Sequence, residues 1–195
     1  MNPLGVILAG GGAARMGRDK ALVEVAGRPM VEWVAEAVRS VTADLVVFGR
    51  SGTLAGLECV PDDRPARRGP LAGLATALRL AEGRPVMLVA VDQPWVRTET
   101  LSALLEQAGP LHAVVPIAGG ARQVTCAVYP ASWAERAAVE DAADGSIQSL
   151  LDDLLHSPIE EQEWRAWRED GRSWFSVDTD RAIQEGLERF GAPGT

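Results

Sequence analysis

A glycine-rich segment after the first apolar run carries the residues best suited to chemistry. Residues 8–20 read LAGGGAARMGRDK and follow an apolar run that begins at Leu4. Glycines allow the backbone to approach a phosphate chain and to turn its N–H groups toward it. Arg15, Arg18 and Lys20 can neutralise phosphate charge. The segment therefore predicts a binding loop for a phosphorylated ligand.

Two common phosphate-binding templates do not fit this loop. A Walker loop requires Gly-Lys-Ser/Thr, but an arginine follows Gly17 here. A dinucleotide fingerprint that starts at Gly10 requires a small residue where Arg15 stands, and no ribose-binding acid follows the run at 45–48. The loop therefore belongs to a different class of phosphate site.

Lys20 is the single lysine among 19 basic residues. An ammonium is a compact charge that can lie between phosphate oxygens, whereas a guanidinium is larger and planar. A lysine at this point favours a phosphate-facing role, although an arginine-biased composition would produce the same count.

Two aspartates that follow apolar runs are candidate ligands for Mg²⁺. Asp92 comes directly after the run at 86–91, and Asp178 after the run at 174–177. Ligands bind open α/β sheets at the carboxyl ends of the strands, and Mg²⁺ takes one or two carboxylates together with phosphate oxygens. Each aspartate has a second explanation, because Asp92 could begin a turn before Pro94 and Asp178 could cap a helix.

The alternation of short Val/Ile/Leu-rich runs with stretches of helical period predicts the α/β fold that would position these residues. We expect a three-layer, mostly parallel twisted sheet of Rossmann-like type, with helices on both faces, in a single domain over residues 1–195. Gly119-Gly120 predicts a hairpin, and residues 157–173 are expected to be irregular. The predicted strands are 4–9, 44–48, 57–60, 86–91, 111–116, 124–129 and 174–177, and the predicted helices are 29–41, 70–82, 98–108, 131–141, 146–156 and 179–190.

Composition excludes several classes of protein. The longest apolar runs are far shorter than the roughly 20 residues of a membrane-spanning helix, so no membrane contact is expected. A net charge of -8 and a pI near 4.8 argue against general nucleic-acid binding. Residues 1–70 nevertheless carry nine basic and eight acidic side chains, which leaves room for a small polyanion. No secretory n-region precedes Leu4, so a cytoplasmic location is predicted.

The glycine-rich loop resembles the signature of the molybdenum-cofactor guanylyltransferases, within the wider family of nucleoside-triphosphate transferases. The paired glycines after Leu8-Ala9 resemble the guanylyl branch, whereas the cytidylyl branch usually reads Leu-Ala-Ala-Gly. The segments that carry the resemblance are Leu8 to Gly11, Arg15 to Gly17, Asp19 to Leu22, Pro61-Asp62, Gly69 to Leu74, Asp92 to Pro94, Gln123 to Tyr129, Gly145-Ser146 with Leu150-Leu151, and Phe175 to Thr179.

The resemblance implies a nucleotidyltransferase fold and an enzyme that uses Mg²⁺ to transfer GMP from GTP to molybdenum-loaded molybdopterin, releasing pyrophosphate. It implies a nucleotide-binding N-terminal part, an acceptor-binding C-terminal part, and transient contacts with molybdoenzymes or other cofactor-synthesis proteins. The implied site residues are Leu8, Ala9, Gly10, Gly11 and Gly12 around the nucleotide, Asp62 on the guanosine side, Lys20 and Arg15 on the phosphates, and Asp92 with Asp178 at the metal.

Two positions depart from the family pattern. Val124 stands where the family has a proline, and Asp178-Thr179-Asp180 replaces Asn-Thr-Pro. The first affects the expected pterin side, whereas the second preserves a possible metal ligand, since aspartate binds metals at least as well as asparagine. The alternatives are a cytidylyltransferase, a sugar-phosphate nucleotidyltransferase, and a non-catalytic protein that binds and delivers a nucleotide or cofactor.

Overall fold

The computed structural model describes residues 2–10, 19–61 and 69–194. Within these ranges, the strands are β1 (Leu4–Leu8), β2 (Glu24–Val25), β3 (Arg28–Pro29), β4 (Asp44–Phe48), β5 (Gly52–Leu54), β6 (Leu57–Val60), β7 (Val86–Ala90), β8 (Ala113–Ala118), β9 (Ala121–Arg122), β10 (Cys126–Tyr129) and β11 (His156–Ile159). The helices are α1 (Met30–Arg39), α2 (Pro70–Leu80), α3 (Thr98–Glu106), α4 (Ala134–Ala142), α5 (Ile147–Asp153), α6 (Glu161–Ala166) and α7 (Asp180–Phe190).

A nine-stranded, mostly parallel sheet forms the centre of the fold. Its strand order is β11-β8-β10-β7-β1-β4-β6-β5, and β9 pairs with β8. β1 lies between β4 and β7 and is parallel to both, whereas β10 is antiparallel to both of its neighbours. The crossover from β1 to β4 carries α1 on one face of the sheet, and the crossover from β6 to β7 carries α2 on the other face. Such a change of direction leaves a crevice at the carboxyl ends of β1 and β7.

Helices cover both faces of the sheet, as the sequence predicts. Every residue of β1 is buried, and its side chains alternate between two apolar clusters. Ile7 packs in the cluster that contains most of the buried residues of α1 and the buried leucines of α3. Val6 and Leu8 pack in the cluster that contains the buried apolar residues of α2 and α4. The continuous apolar runs of β1 and β7 follow from burial on both faces.

The hairpin prediction is confirmed. Gly119 and Gly120 have φ values of +57° and +75°, and they join β8 to the antiparallel β9. Both residues thus occupy the left-handed region that two-residue hairpins require.

The two cysteines, Cys59 and Cys126, are free and buried.

The strand predicted at 174–177 is wrong. Residues Arg172–Trp174 form a 3-10 turn, and the extended residues that follow join no ladder of the sheet. The main-chain N–H of Val177 instead donates to the carbonyl of Asp92 at 2.8 Å. Phe175 and Val177 pack in the cluster of Trp95 and the apolar residues of α7, and Trp174 packs against Trp164. Burial by packing thus resembles a buried strand in the sequence.

Two predictions about the preceding segment are also wrong. Residues 157–173 are not irregular, because they include most of β11 and all of α6. β11 is an edge strand, where Pro158 is tolerated, and Glu160 caps α6 through a reciprocal pair of hydrogen bonds with Glu163. The helix predicted to reach 156 ends at Asp153, because Leu154 is already extended.

In the ranges that the structure describes, no helix combines the length and the apolar character that crossing a bilayer requires.

Gly49 brings the end of β4 against the glycine-rich loop. Its φ is +98°, and a Cβ at this position would lie 2.2 Å from both Cα and N of Gly10. The neighbouring N–H of Ala9 donates to the carbonyl of Phe48 at 2.8 Å. A side chain at position 49 would therefore displace the start of the loop.

We expect Gly49→Ala to lower the free energy of unfolding by about 3 kcal/mol, since overpacking and a left-handed alanine each contribute roughly 1–2 kcal/mol. Gly56→Ala is the matched control, because Gly56 has a φ of +73° with open space around it. The control should lose only about 1–2 kcal/mol. Urea denaturation measures both, and equal losses would contradict the proposed contact with Gly10.

Candidate active site

Lys20 connects two carboxylates at the carboxyl edge of the sheet. Its Nζ lies 3.1 Å from Oδ2 of Asp92 and also donates to Oδ1 of Asp178. The Lys20 side chain is 17% exposed, compared with 22% for Asp92 and 45% for Asp178. Three residues that the sequence identifies separately are thus in direct contact.

The ammonium of Lys20 carries its charge at neutral pH. Burial would lower the pKa of Lys20, but the hydrogen bonds and negative charges of Asp178 and Asp92 outweigh it and raise the pKa above its ordinary value. The site therefore contains one ammonium that stays charged at neutral pH and that contacts two acidic side chains.

Asp19 and Arg50 fix the backbone of Lys20. Residues Lys20–Leu22 form a 3-10 turn, and the Asp19 carboxylate accepts from the N–H of Ala21 at 3.1 Å. Nη2 of Arg50 lies 2.6 Å from the same oxygen. The hydrogen bond from Arg50 lowers the pKa of Asp19 below its ordinary value, although burial opposes this. Ala21 itself is 1% exposed, which fastens the turn to the core.

Asp92 follows β7, whose end is joined to β1 because the N–H of Val91 donates to the carbonyl of Leu8 at 3.0 Å. Asp178 reaches the same place through the bond from Val177 to the Asp92 carbonyl. It does not cap α7, because Thr179 does so by accepting from the N–H of Ala182 at 3.1 Å. The Asp178 carboxylate is thus available to the cleft.

Packing between α7 and the segment after Asp92 supports this arrangement. Trp95 is 2% exposed and stacks edge-on against Phe175 at 5.7 Å between ring centroids. Gly186 of α7 allows the close approach, since a Cβ there would lie 2.2 Å from the Trp95 ring. The segment that carries Asp178 is therefore clamped between Trp95 and α7.

A cleft of about 610 Å³ opens around the three charged residues. The carboxyl end of β1 and the N-terminal residues of α2 line part of this cleft, and a helix N-terminus favours a bound anion. Gly73 of α2 lies against Leu8, where a Cβ would approach the Leu8 side chain to 2.5 Å. The described lining residues are Leu8, Ala9, Gly10, Lys20, Phe48, Gly69, Pro70, Gly73, Ala90, Val91, Asp92, Gln93, Gln123, Thr125, Trp174, Ser176 and Asp178.

The structure thus brings together Leu8, Ala9 and Gly10 with Lys20, Asp92 and Asp178. Four further predicted site residues, Gly11, Gly12, Arg15 and Asp62, lie outside the described residues. Their roles stay predictions of the sequence.

The residues present fit a magnesium ion that is shared with phosphate oxygens. Among the described residues, no group of three or more Asp, Glu, His or Cys side chains converges on one point. The Lys20 ammonium shows directly that Asp92 and Asp178 can share one cation. Mg²⁺ sites that bind phosphate substrates typically use one or two carboxylates, and phosphate oxygens or water fill the other coordination positions of the metal.

Glu169 is a residue of this region that the sequence analysis missed. It is 2% exposed, and its carboxylate accepts from Thr100 Oγ1 and Ser173 Oγ at 2.6 Å each, and from the N–H groups of Gly171 and Ser173 at 2.7 and 3.2 Å. These bonds hold the turn that presents Trp174 to the cleft. The glutamate lies in a polar stretch of sequence, so no pattern distinguishes it from an exposed acid.

Removing the Glu169 carboxylate should destabilise the fold. We expect Glu169→Ala to cost about 3 kcal/mol, because it leaves buried donors unpaired, and Glu169→Gln to cost less than half of that. Glu99→Ala is the control, since the Glu99 side chain is 66% exposed and should cost less than about 0.5 kcal/mol. Chemical denaturation provides the values, and an unchanged stability in Glu169→Ala would refute the anchoring role.

Stability should depend on Asp19 only above acidic pH. Because the folded pKa of Asp19 is lowered, its stabilisation is present above the ordinary value of 3.8 and is lost as pH falls through the folded pKa. Asp19→Asn should cost about 1 kcal/mol at pH 7, a value reduced for the 37% exposure of the side chain, and the cost should shrink as the pH falls below 3.8.

Asp44→Asn is the comparison for Asp19→Asn. Asp44 pairs with Arg84 at the opposite edge of the sheet and is 60% exposed. Thermal unfolding at several pH values measures both variants. A loss that is as large in Asp44→Asn, or that does not change with pH in Asp19→Asn, would contradict the assignment.

Comparison with known proteins identifies relatives over most of the chain. The family described as the MobA-like NTP transferase domain matches residues 5–159. A probable molybdenum cofactor guanylyltransferase of Natronomonas pharaonis is 38% identical over 199 residues, which cover 95% of this chain and 97% of the relative. One from Bacillus licheniformis is 39% identical over 137 residues, covering 66% of this chain and 69% of the relative.

Solved structures share the same architecture. The molybdopterin-guanine dinucleotide biosynthesis protein A of Archaeoglobus fulgidus has a TM-score of 0.80 at 23% identity, over 95% of this chain and 97% of that one. The 2-C-methyl-D-erythritol 4-phosphate cytidylyltransferase of Thermus thermophilus has a TM-score of 0.64 at 19% identity, over 94% and 96%. These likenesses show the fold. The family match and the sequence relatives confirm the resemblance found in the sequence: the chain belongs to the MobA-like NTP transferase family of nucleotidyltransferases.

Proposed function

We propose that this protein transfers GMP from GTP to the terminal phosphate of molybdenum-loaded molybdopterin and releases pyrophosphate. The contact of Lys20 with Asp92 and Asp178 carries the proposal, because it places one cation and two potential metal ligands beside the start of the glycine-rich loop. The names of the sequence relatives supply the substrates.

The reaction requires little covalent chemistry from the protein. An oxygen of the pterin phosphate attacks the α-phosphorus of GTP, a new P–O bond forms, and the bond to the bridging oxygen of pyrophosphate breaks. The attacking phosphate is already anionic at neutral pH, so no residue is needed as general base. Catalysis then consists of positioning the two phosphates in line and neutralising their charge.

Lys20 is the described residue that neutralises phosphate charge, and Arg15 is predicted to assist it. Asp92 and Asp178 would hold Mg²⁺, which supplies neutralisation of the triphosphate and of the leaving pyrophosphate when bound. Leu8, Ala9 and Gly10 line the cleft, and Gly10 has no side chain that would keep a nucleotide from its backbone.

The same cleft contains residues suited to an acceptor subsite. Gln123, Thr125, Trp174 and Ser176 line it together with the charged residues. An aromatic ring with neighbouring amide and hydroxyl groups suits a flat, polar heterocycle such as a pterin.

Two further expectations remain predictions of the sequence. They are the transient contacts with molybdoenzymes or other cofactor-synthesis proteins, and the cytoplasmic location.

Asp92→Asn tests the proposal. With labelled GTP, Mg²⁺ and molybdenum-loaded molybdopterin, the wild type should form the guanine dinucleotide, and the variant should be slower by at least about 100-fold, as for loss of a preorganised electrostatic group. Asp44→Asn controls for loss of a surface carboxylate. Near-normal Mg²⁺-dependent transfer by Asp92→Asn would contradict the role of Asp92, and a preference for CTP over GTP would contradict the proposed substrate.

A further inference from the structure

We infer that the ammonium of Lys20 occupies the cation position of the nucleotide-free site and excludes a divalent metal until a triphosphate arrives. This inference rests on the proposed function, and it concerns how the binding of metal and nucleotide is coupled. The observation behind it is that the carboxylates proposed as metal ligands are both bonded to the same internal cation.

The cation position lies between the ends of two chain segments. Asp92 stands at the end of β7, and Asp178 is tied to it through the bond from Val177 N–H to the Asp92 carbonyl. A metal that binds both carboxylates must therefore enter the space in which Nζ of Lys20 lies. The ammonium has to leave before a metal can bind both acids.

Several contacts hold the backbone of Lys20 in place. Asp19, held by Arg50, caps the turn, and Ala21 is buried in the core. The movement that makes room for a metal is therefore expected in the side chain of Lys20. Among the described residues that line the cleft, no carboxylate other than those of Asp92 and Asp178 is present to receive it. A metal alone would thus leave a partly buried ammonium unpaired beside a dication, which is electrostatically costly.

A triphosphate removes this cost. Its oxygens provide new partners for the ammonium, and they also complete the coordination of the metal. Binding of nucleotide and metal is therefore mutually favourable, and the coupling acts equally in both directions. When no triphosphate is bound, the ion pairs of Lys20 keep the two carboxylates in place, so the site stays assembled without a metal.

Metal binding to the nucleotide-free protein tests the inference. Mn²⁺ suits the same oxygen ligands as Mg²⁺, and its unbound fraction can be followed by electron paramagnetic resonance at pH 7.5. Lys20→Met removes the cation but keeps a side chain of similar length. Lys20→Arg retains a cation, and Arg84→Met removes a positive charge and an ion pair at the opposite edge of the sheet.

Lys20→Met should bind one Mn²⁺ at least tenfold more tightly than the wild type, whereas Lys20→Arg and Arg84→Met should bind as weakly as the wild type. Addition of Asp92→Asn to Lys20→Met should abolish the gain. Thermal unfolding provides a second readout, because Mn²⁺ should raise the Tm of Lys20→Met more than that of the wild type. Lys20→Ala replaces Lys20→Met if the methionine variant does not fold.

Equal Mn²⁺ affinity in the wild type and Lys20→Met would overturn the inference, and so would a similar gain in Arg84→Met. Binding of GTP with Mg²⁺ to the wild type is measured separately by calorimetry. If GTP binds and GMP is transferred while Lys20→Met shows no gain, only this inference fails. If the wild type neither binds nor uses GTP, the proposed function fails, whatever the metal titrations show.

Discussion

The ion pair of Lys20 with Asp92 and Asp178 joins three distant parts of the chain, 72 and 158 residues apart along the sequence. Charges that lose much of their hydration are costly unless each has a partner. The partly buried ammonium of Lys20 is therefore stable only where both carboxylates lie within hydrogen-bond distance. Three elements position these groups: the central strands, the turn after the glycine-rich loop and the segment before α7.

The central strands of the sheet hold the carboxylate of Asp92 in a well-defined position. β1 and β7 are buried on both faces and run in parallel, so their carboxyl ends are fixed relative to each other. The second carboxylate lies outside the sheet and depends on packing instead. Trp95, Phe175 and Phe190 form an aromatic cluster beneath it, with ring centroids 5.4 to 6.1 Å apart. One half of the site thus rests on hydrogen-bonded strands, and the other half on side-chain contacts.

This division explains how much the sequence predicts. Lys20 and Asp92 are identifiable because a glycine-rich loop and a buried strand leave strong local patterns, and the mostly parallel α/β fold follows from the same patterns. Asp178 is also identified, but for a wrong reason, since the strand expected before it is an extended segment buried by packing. Apolar periodicity reports burial and does not distinguish a ladder from such a segment.

Contacts between residues far apart in sequence leave no local pattern at all. The anchor formed by Glu169 depends on Thr100 and Ser173, and only the folded chain brings these three together. The close approach of Gly49 to Gly10 is of the same kind, because a glycine that follows a strand is common and its neighbour is not predictable. The joining of both carboxylates by one ammonium also becomes visible only in three dimensions.

The clamp of Trp95 and α7 on the segment before Asp178 affects the order in which the protein becomes competent during synthesis. Chains are made from the amino end, and their early parts begin to fold first. A growing chain that has reached residue 160 contains every strand of the described sheet, yet it lacks Asp178 and the helix that holds it. Lys20 then has only one of its two partners. Every strand of the described sheet is therefore synthesised before Asp178, the residue that completes the charged contact with Lys20.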